Sequence, residues 1–174
     1  MVVSTLISLM WSEGVTRAES EVLVSTVDQV LTWLYLRHPE HLADRPIQAH
    51  AVGDLVAELF GARVARWAAG VAESTYDTQL GRVIAPTLLE LVRRRPLGEG
   101  VAHVSLMLLD HDLTDFPAPL ARLRPEHYSL GSSFPGEVAV LSVARLRQIE
   151  GEPQREQALA RLVRHHLGHV LGLP

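Results

Sequence analysis

The sequence predicts an α/β domain in which amphipathic helices back a largely buried sheet. Three observations carry this: short apolar runs at residues 2–9, 101–110 and 137–146, helical periodicity between them, and a composition ordinary for a soluble globular protein. The chain is 47% hydrophobic and 21% charged, and its 174 residues fit a single domain with one substantial core.

Residues 2–9 are aliphatic and β-branched and stop before Gly14, so they read as the first strand. Thr16 and Glu19 then have the spacing of a capping box, and Val24, Val27, Leu31 and Leu34 recur at helical intervals. A helix of about twenty residues is expected there, ending at His38 and Pro39. Residues 41–46 are polar and read as a loop. Val52, Leu55, Val56, Leu59 and Phe60 predict a second helix, stopped by Gly61. Residues 64–67 read as a brief strand and 69–81 as a loop. Pro86 suits the first turn of a helix that runs to Arg95 and buries Leu88, Leu89, Leu91 and Val92.

The run "VAHVSLMLLD" at 101–110 is almost continuously apolar, as expected of a strand covered on both faces, and "EVAVLSVARL" at 137–146 is a second of that kind. The stretch between them is rich in Pro, Asp and Ser and long for a compact domain, which marks it as functional or mobile. The last helix is expected to begin near Pro153 and run almost to the end of the sequence.

Several chemistries are excluded. The net charge is -4, and nucleic-acid binding needs a clustered cationic face. The basic run Arg93, Arg94 and Arg95 fits the last turn of a helix stopped by Pro96. All 16 cationic side chains are arginine, so a lysine nucleophile or P-loop lysine is absent. With no cysteine, disulfides, thiolate metal sites and thiol catalysis are ruled out. The N-terminus lacks a basic region and a cleavage site, and no apolar run approaches the roughly 18 residues of a membrane span. A cytoplasmic location without membrane contact is the default.

His165 and His169 are four residues apart, on one face of the last helix and close enough to share a zinc ion. Spacing alone is weak: with nine histidines in 174 residues, chance supplies about half of one such pair. The surrounding "HHLGHVLGLP" is more specific, with small residues where the helix would pack closely. In the zinc-peptidase pattern H-E-x-x-H-x-x-G-x-x-H, three histidines bind zinc and the glutamate is the general base on the bound water. His165, His169 and Gly172 match it, His166 stands at the position of the general base, and the third histidine would fall one residue beyond Pro174.

The blocks "STYDTQLGRVIAPTLLELV", "LLDHDLTDFPAPL", "SLGSSFPGEVAVLSVARLR" and "HHLGHVLGLP" occur in the order and approximate spacing of corresponding blocks in archaemetzincins, a family of small zinc-dependent metallopeptidases. The sequence resembles that family over residues 57–174, most specifically in the last two blocks. The resemblance implies a metzincin-like (zincin) upper subdomain: a twisted mixed sheet with one antiparallel edge strand beside the substrate cleft and helices behind. Tyr128, Ser129, Leu130, Gly131 and Ser132 would be that edge strand, to which an extended peptide adds by main-chain pairing. Residues 137–146 would lead into the zinc helix. The family also carries a C-terminal part with the third zinc ligand, a methionine turn and cysteines for a second zinc ion. No such part follows in this sequence, so a single domain lacking that subdomain is expected.

Two histidines alone make a weak, open site. His166 cannot simply inherit the glutamate's work, because a charged imidazole would repel the metal. The expectation is a degenerate homologue without an assigned catalytic residue, with weakened or lost zinc binding, that acts by binding a peptide or protein partner. A second copy is a candidate partner, since loss of the lower subdomain exposes an apolar cleft floor. Zinc is the sole cofactor expected. The alternatives are an active zinc peptidase with an unconventional third ligand and base, or a metal-free structural or regulatory domain. The third ligand could come from the Pro174 carboxylate or from Asp110, His111 and Asp112, although "DHD" reads better as a strand-end turn. His103 reads as a core histidine, and His38, His41, His50 and His127 have no evident partner.

Overall fold

A computed structural model describes residues 5–44, 46–51, 75–94 and 102–173. Strand β1 (Thr5–Trp11) leads into helix α1 (Arg17–Arg37). The capping box forms as expected: the Thr16 hydroxyl accepts from the Glu19 N–H, and the Thr16 N–H donates to the Glu19 carboxylate at 2.8 Å. A short helix α2 (Pro39–Asp44) occupies the expected loop, and β2 (Ile47–Ala51) follows as a strand. The hydroxyl of Tyr35 donates to the carbonyl of Ile47 and accepts from its N–H, pinning β2 to α1.

Strands β3 (Tyr76–Asp77) and β4 (Arg82–Ile84) precede helix α3 (Ala85–Arg93), which has proline in its first turn. Strand β5 (Ala102–Leu109), strand β6 (Leu113–Thr114), helix α4 (Ala118–Leu123), strand β7 (Gly131–Phe134) and strand β8 (Val138–Ser142) come next. A 3₁₀ turn (Leu146–Gln148) then leads into helix α5 (Glu152–Val170). The expected second helix, the strand at 64–67, residues 69–74 of the loop at 69–81 and Arg95 lie outside the described residues, and the rest of that loop holds the short strand β3, which pairs with β4.

Among the described residues the main sheet has the order β2-β1-β5-β8-β7, parallel throughout except for β7, which runs antiparallel to β8. A smaller sheet joins β3, β4 and β6. Side-chain alternation along the strands divides the core between the two faces. Ile7, Leu9, Leu106, Leu108, Ala139 and Leu141 pack with α1 and α5, while Met10, Met107, Leu109, Val138 and Val140 pack with α3. Strand β8 is buried at all five positions, which is why its sequence is apolar without alternation.

The edge strand is displaced from the expected residues. Gly131 and Ser132 lie in β7, which continues to Phe134, whereas Ser129 forms an isolated bridge with Leu113, and Tyr128 and Leu130 lie outside the strand. The turn at Gly136, with φ +76, joins β7 to β8. No helix among the described residues is long and apolar enough to cross a membrane.

Candidate functional site

Helix α5 starts after Gly151, whose φ of +87 suits glycine, with Glu152 and Pro153 in its first turn. Its buried stripe is Leu159, Val163, His166, Leu167 and Val170, the three- and four-residue spacing of a helix face set against a core. His166 therefore occupies a core position, and His165 and His169 flank the stripe toward solvent.

The rings of His165 and His169 converge, with their Nε2 atoms 3.2 Å apart. Two imidazole ligands at tetrahedral angles on zinc stand about 3.3 Å apart, given Zn–N bonds of about 2.0–2.1 Å. The pair thus fits two corners of a zinc site, and the same separation is also that of an N–H···N hydrogen bond between unlike tautomers. Among the described residues no cluster of three or more histidine or carboxylate side chains is arranged to hold a metal ion. The Pro174 carboxylate lies outside the described residues.

His166 packs against the edge strand while its ring also contacts His165 and His169. It is 7% exposed, its Nδ1 is buried without a hydrogen-bond partner, and its Nε2 abuts Gly131. Burial first, then the neighbouring His165 and His169, push its pKa down to about 4. The ring is accordingly neutral over the physiological range.

The helix ends in a Schellman motif. Gly172, at φ +79, donates its N–H to the His169 carbonyl at 3.0 Å, and Leu173 donates to Gly168 at 2.9 Å. Glycine at 172 is thus required by backbone conformation. Gly168 is not required by close packing, since a β-carbon there would meet Leu173 at an ordinary 3.9 Å. The N–H of Gly136 also donates to the His169 carbonyl at 3.0 Å, which ties the β7–β8 turn to the end of the site helix.

The acidic turn after β5 is structural. Asp110 accepts from the Ser12 hydroxyl at 2.5 Å and lies 3.1 Å from His111 Nδ1, while Asp112 accepts from Arg145 at 2.9 Å. Arg145 also stacks over the Tyr128 ring, 4.3 Å from its centroid, which holds the chain just before β7. His127 has a partner that the sequence did not reveal: its Nε2 lies 2.5 Å from Asp115, and its ring stacks on Phe116. Arg93 and Arg94 close the end of α3 on Glu90, and Arg93 also reaches Glu137. His103 lies on β5 and His50 on β2.

The chain is thus a mixed α/β domain with one antiparallel edge strand, backed by a helix that carries a histidine pair. The crystal structure of archaemetzincin from Methanopyrus kandleri superposes on this chain with a TM-score of 0.56 and 22% sequence identity, covering 99% of this chain and 75% of that one. The fold is archaemetzincin-like. No protein-family model and no curated protein matches the sequence.

Proposed function

We propose that this chain is a degenerate archaemetzincin-type homologue that holds zinc weakly at His165 and His169, does not hydrolyse peptides, and acts by binding an extended peptide or protein segment along β7. The observation that carries this reading is the burial of His166 against the edge strand. A general base must reach the water that it deprotonates, and the residue next to the histidine pair is instead packed against Gly131 with Nδ1 buried. Zinc, when bound, would lower the pKa of a coordinated water and polarise a carbonyl. His165 and His169 would hold it through imidazole nitrogens.

The edge strand supports the binding role. Strand β7 pairs with β8 on one side and ends the main sheet among the described residues, the place where a further strand could add, although the Ser129 hydroxyl already engages the N–H and carbonyl of Gly131. Its four residues are half-buried, and Ser132 and Ser133 give it a polar character. A second copy of the chain is a further candidate partner, favoured by the exposed apolar side chains of Leu123, Tyr128, Leu130 and Leu173. Light scattering at high protein concentration tests this, and a strictly monomeric protein would exclude it.

The test of the main reading is digestion of a broad peptide pool by tag-free protein with added zinc. No cleavage is expected. Chelator-sensitive cleavage that disappears in His169→Ala would overturn the reading and establish an active peptidase with an unconventional base.

A further inference from the structure

The site helix and the edge strand meet at one close contact. A β-carbon built on Gly131 would lie 2.4 Å from His166 Nε2, 2.9 Å from Cδ2 and 3.0 Å from Cε1. The imidazole thus fills the space that any other residue at 131 would need. Gly131 is not among the glycines with positive φ, so its backbone conformation does not call for glycine; the ring does. The ring also contacts the histidine pair, with centroids 5.0 Å from His165 and 5.9 Å from His169.

We propose that Gly131 and His166 are a matched pair of positioning residues: the ring seats β7 on α5, and the missing side chain at 131 gives the ring its place beside His165 and His169. A methyl group at 131 has to displace either the strand or the ring. Displacing the ring disturbs its contacts with His165 and His169, whose Nε2 atoms stand 3.2 Å apart. The Gly136 to His169 hydrogen bond fastens the same two elements one turn further along, so the displacement cannot be absorbed by sliding the strand freely. The strand that receives a peptide and the pair that receives a metal are therefore mechanically linked through one contact. This inference rests on the proposed roles of β7 and of the histidine pair.

The test compares the parent protein, Gly131→Ala, His166→Ala and the double variant by two readouts: amide hydrogen exchange of residues 131–134, and Zn²⁺ affinity measured against a chromophoric chelator. Gly131→Ala is expected to speed exchange about tenfold and to weaken Zn²⁺ binding about fivefold, the range of coupling found between residues in contact. Adding His166→Ala should return both values to within about twofold of His166→Ala alone, because the clash then has no partner. Equal penalties from Gly131→Ala with and without His166 would overturn the pairing, as would a Gly131→Ala chain that fails to fold and is not rescued by the second substitution. If the parent takes up no Zn²⁺, the metal reading fails while the exchange readout still decides the pairing.

Discussion

Replacing His166 by leucine should flatten the acid side of the stability curve. In the fold the imidazole titrates near 4, against 6.5 for the ordinary side chain. Between these values the unfolded chain holds a proton that the folded chain does not, so stability is present above pH 6.5, falls as pH drops, and stops falling below about 4. Each tenfold rise in proton concentration in that window costs about 1.4 kcal/mol, so the parent should lose about 2–3 kcal/mol between pH 7.5 and 4.5 through this group. His166→Leu keeps an apolar side chain on the buried stripe and removes the titration. The assay is urea unfolding of both proteins at stepped pH with chelator present, with m-values compared to establish that the same transition is followed. The expected result is a difference between the two stabilities that changes by about 2–3 kcal/mol in favour of the variant as pH falls. Parallel curves would refute the buried, neutral placement of His166.

Glu19 serves two partners: it closes the capping box with Thr16 and meets Arg147 through both oxygens, at 2.8 and 2.7 Å across 128 positions of sequence. Glu19→Ala should lower unfolding free energy by about 2 kcal/mol, and combining it with Arg147→Ala should cost less than the two separate losses added together. Gly172→Ala forces a side chain into left-handed backbone and should cost about 1 kcal/mol in thermal unfolding. Leu167, fully buried under the sheet, should lose about 2–5 kcal/mol as alanine. At free Zn²⁺ tenfold above its dissociation constant the melting temperature should rise by about 3–6 °C, from about 1.4 kcal/mol of linkage energy, and His169→Ala should abolish the rise.

The sequence is most legible where local chemistry decides the structure. The Thr16 and Glu19 capping box, the proline-led α3, the doubly covered β5 and β8, and the final helix all follow from short-range signals, and the structure contains each of them. Strand β2 escaped because its five residues, Ile47–Ala51, hold a histidine and a glutamine and gain strand character only by pairing with β1. The edge strand was expected about three residues early, since bridge-forming Ser129 and strand-forming Ser132 differ in partners and not in residue type.

At the site, the four-residue spacing of His165 and His169 was readable, and the convergence of their Nε2 atoms agrees with it. The role of His166 was hidden by comparison with a catalytic motif. Read against Leu159, Val163, Leu167 and Val170, its position on the buried stripe follows from helical period alone. Its contact with Gly131 could not be read, because it joins residues 35 positions apart through the packing of a helix on an edge strand. The Asp115–His127 and Arg145–Tyr128 contacts are tertiary in the same sense.

Elemental analysis of zinc in tag-free protein after dialysis, beside the His165→Ala/His169→Ala double variant, tests the degenerate character of the site most directly. A pair of histidines without a complete ligand set should retain far less than one zinc ion per chain, with little difference between the two proteins. One zinc ion per chain in the parent that vanishes in the variant would mean a complete, tightly held metal site and would contradict the reading.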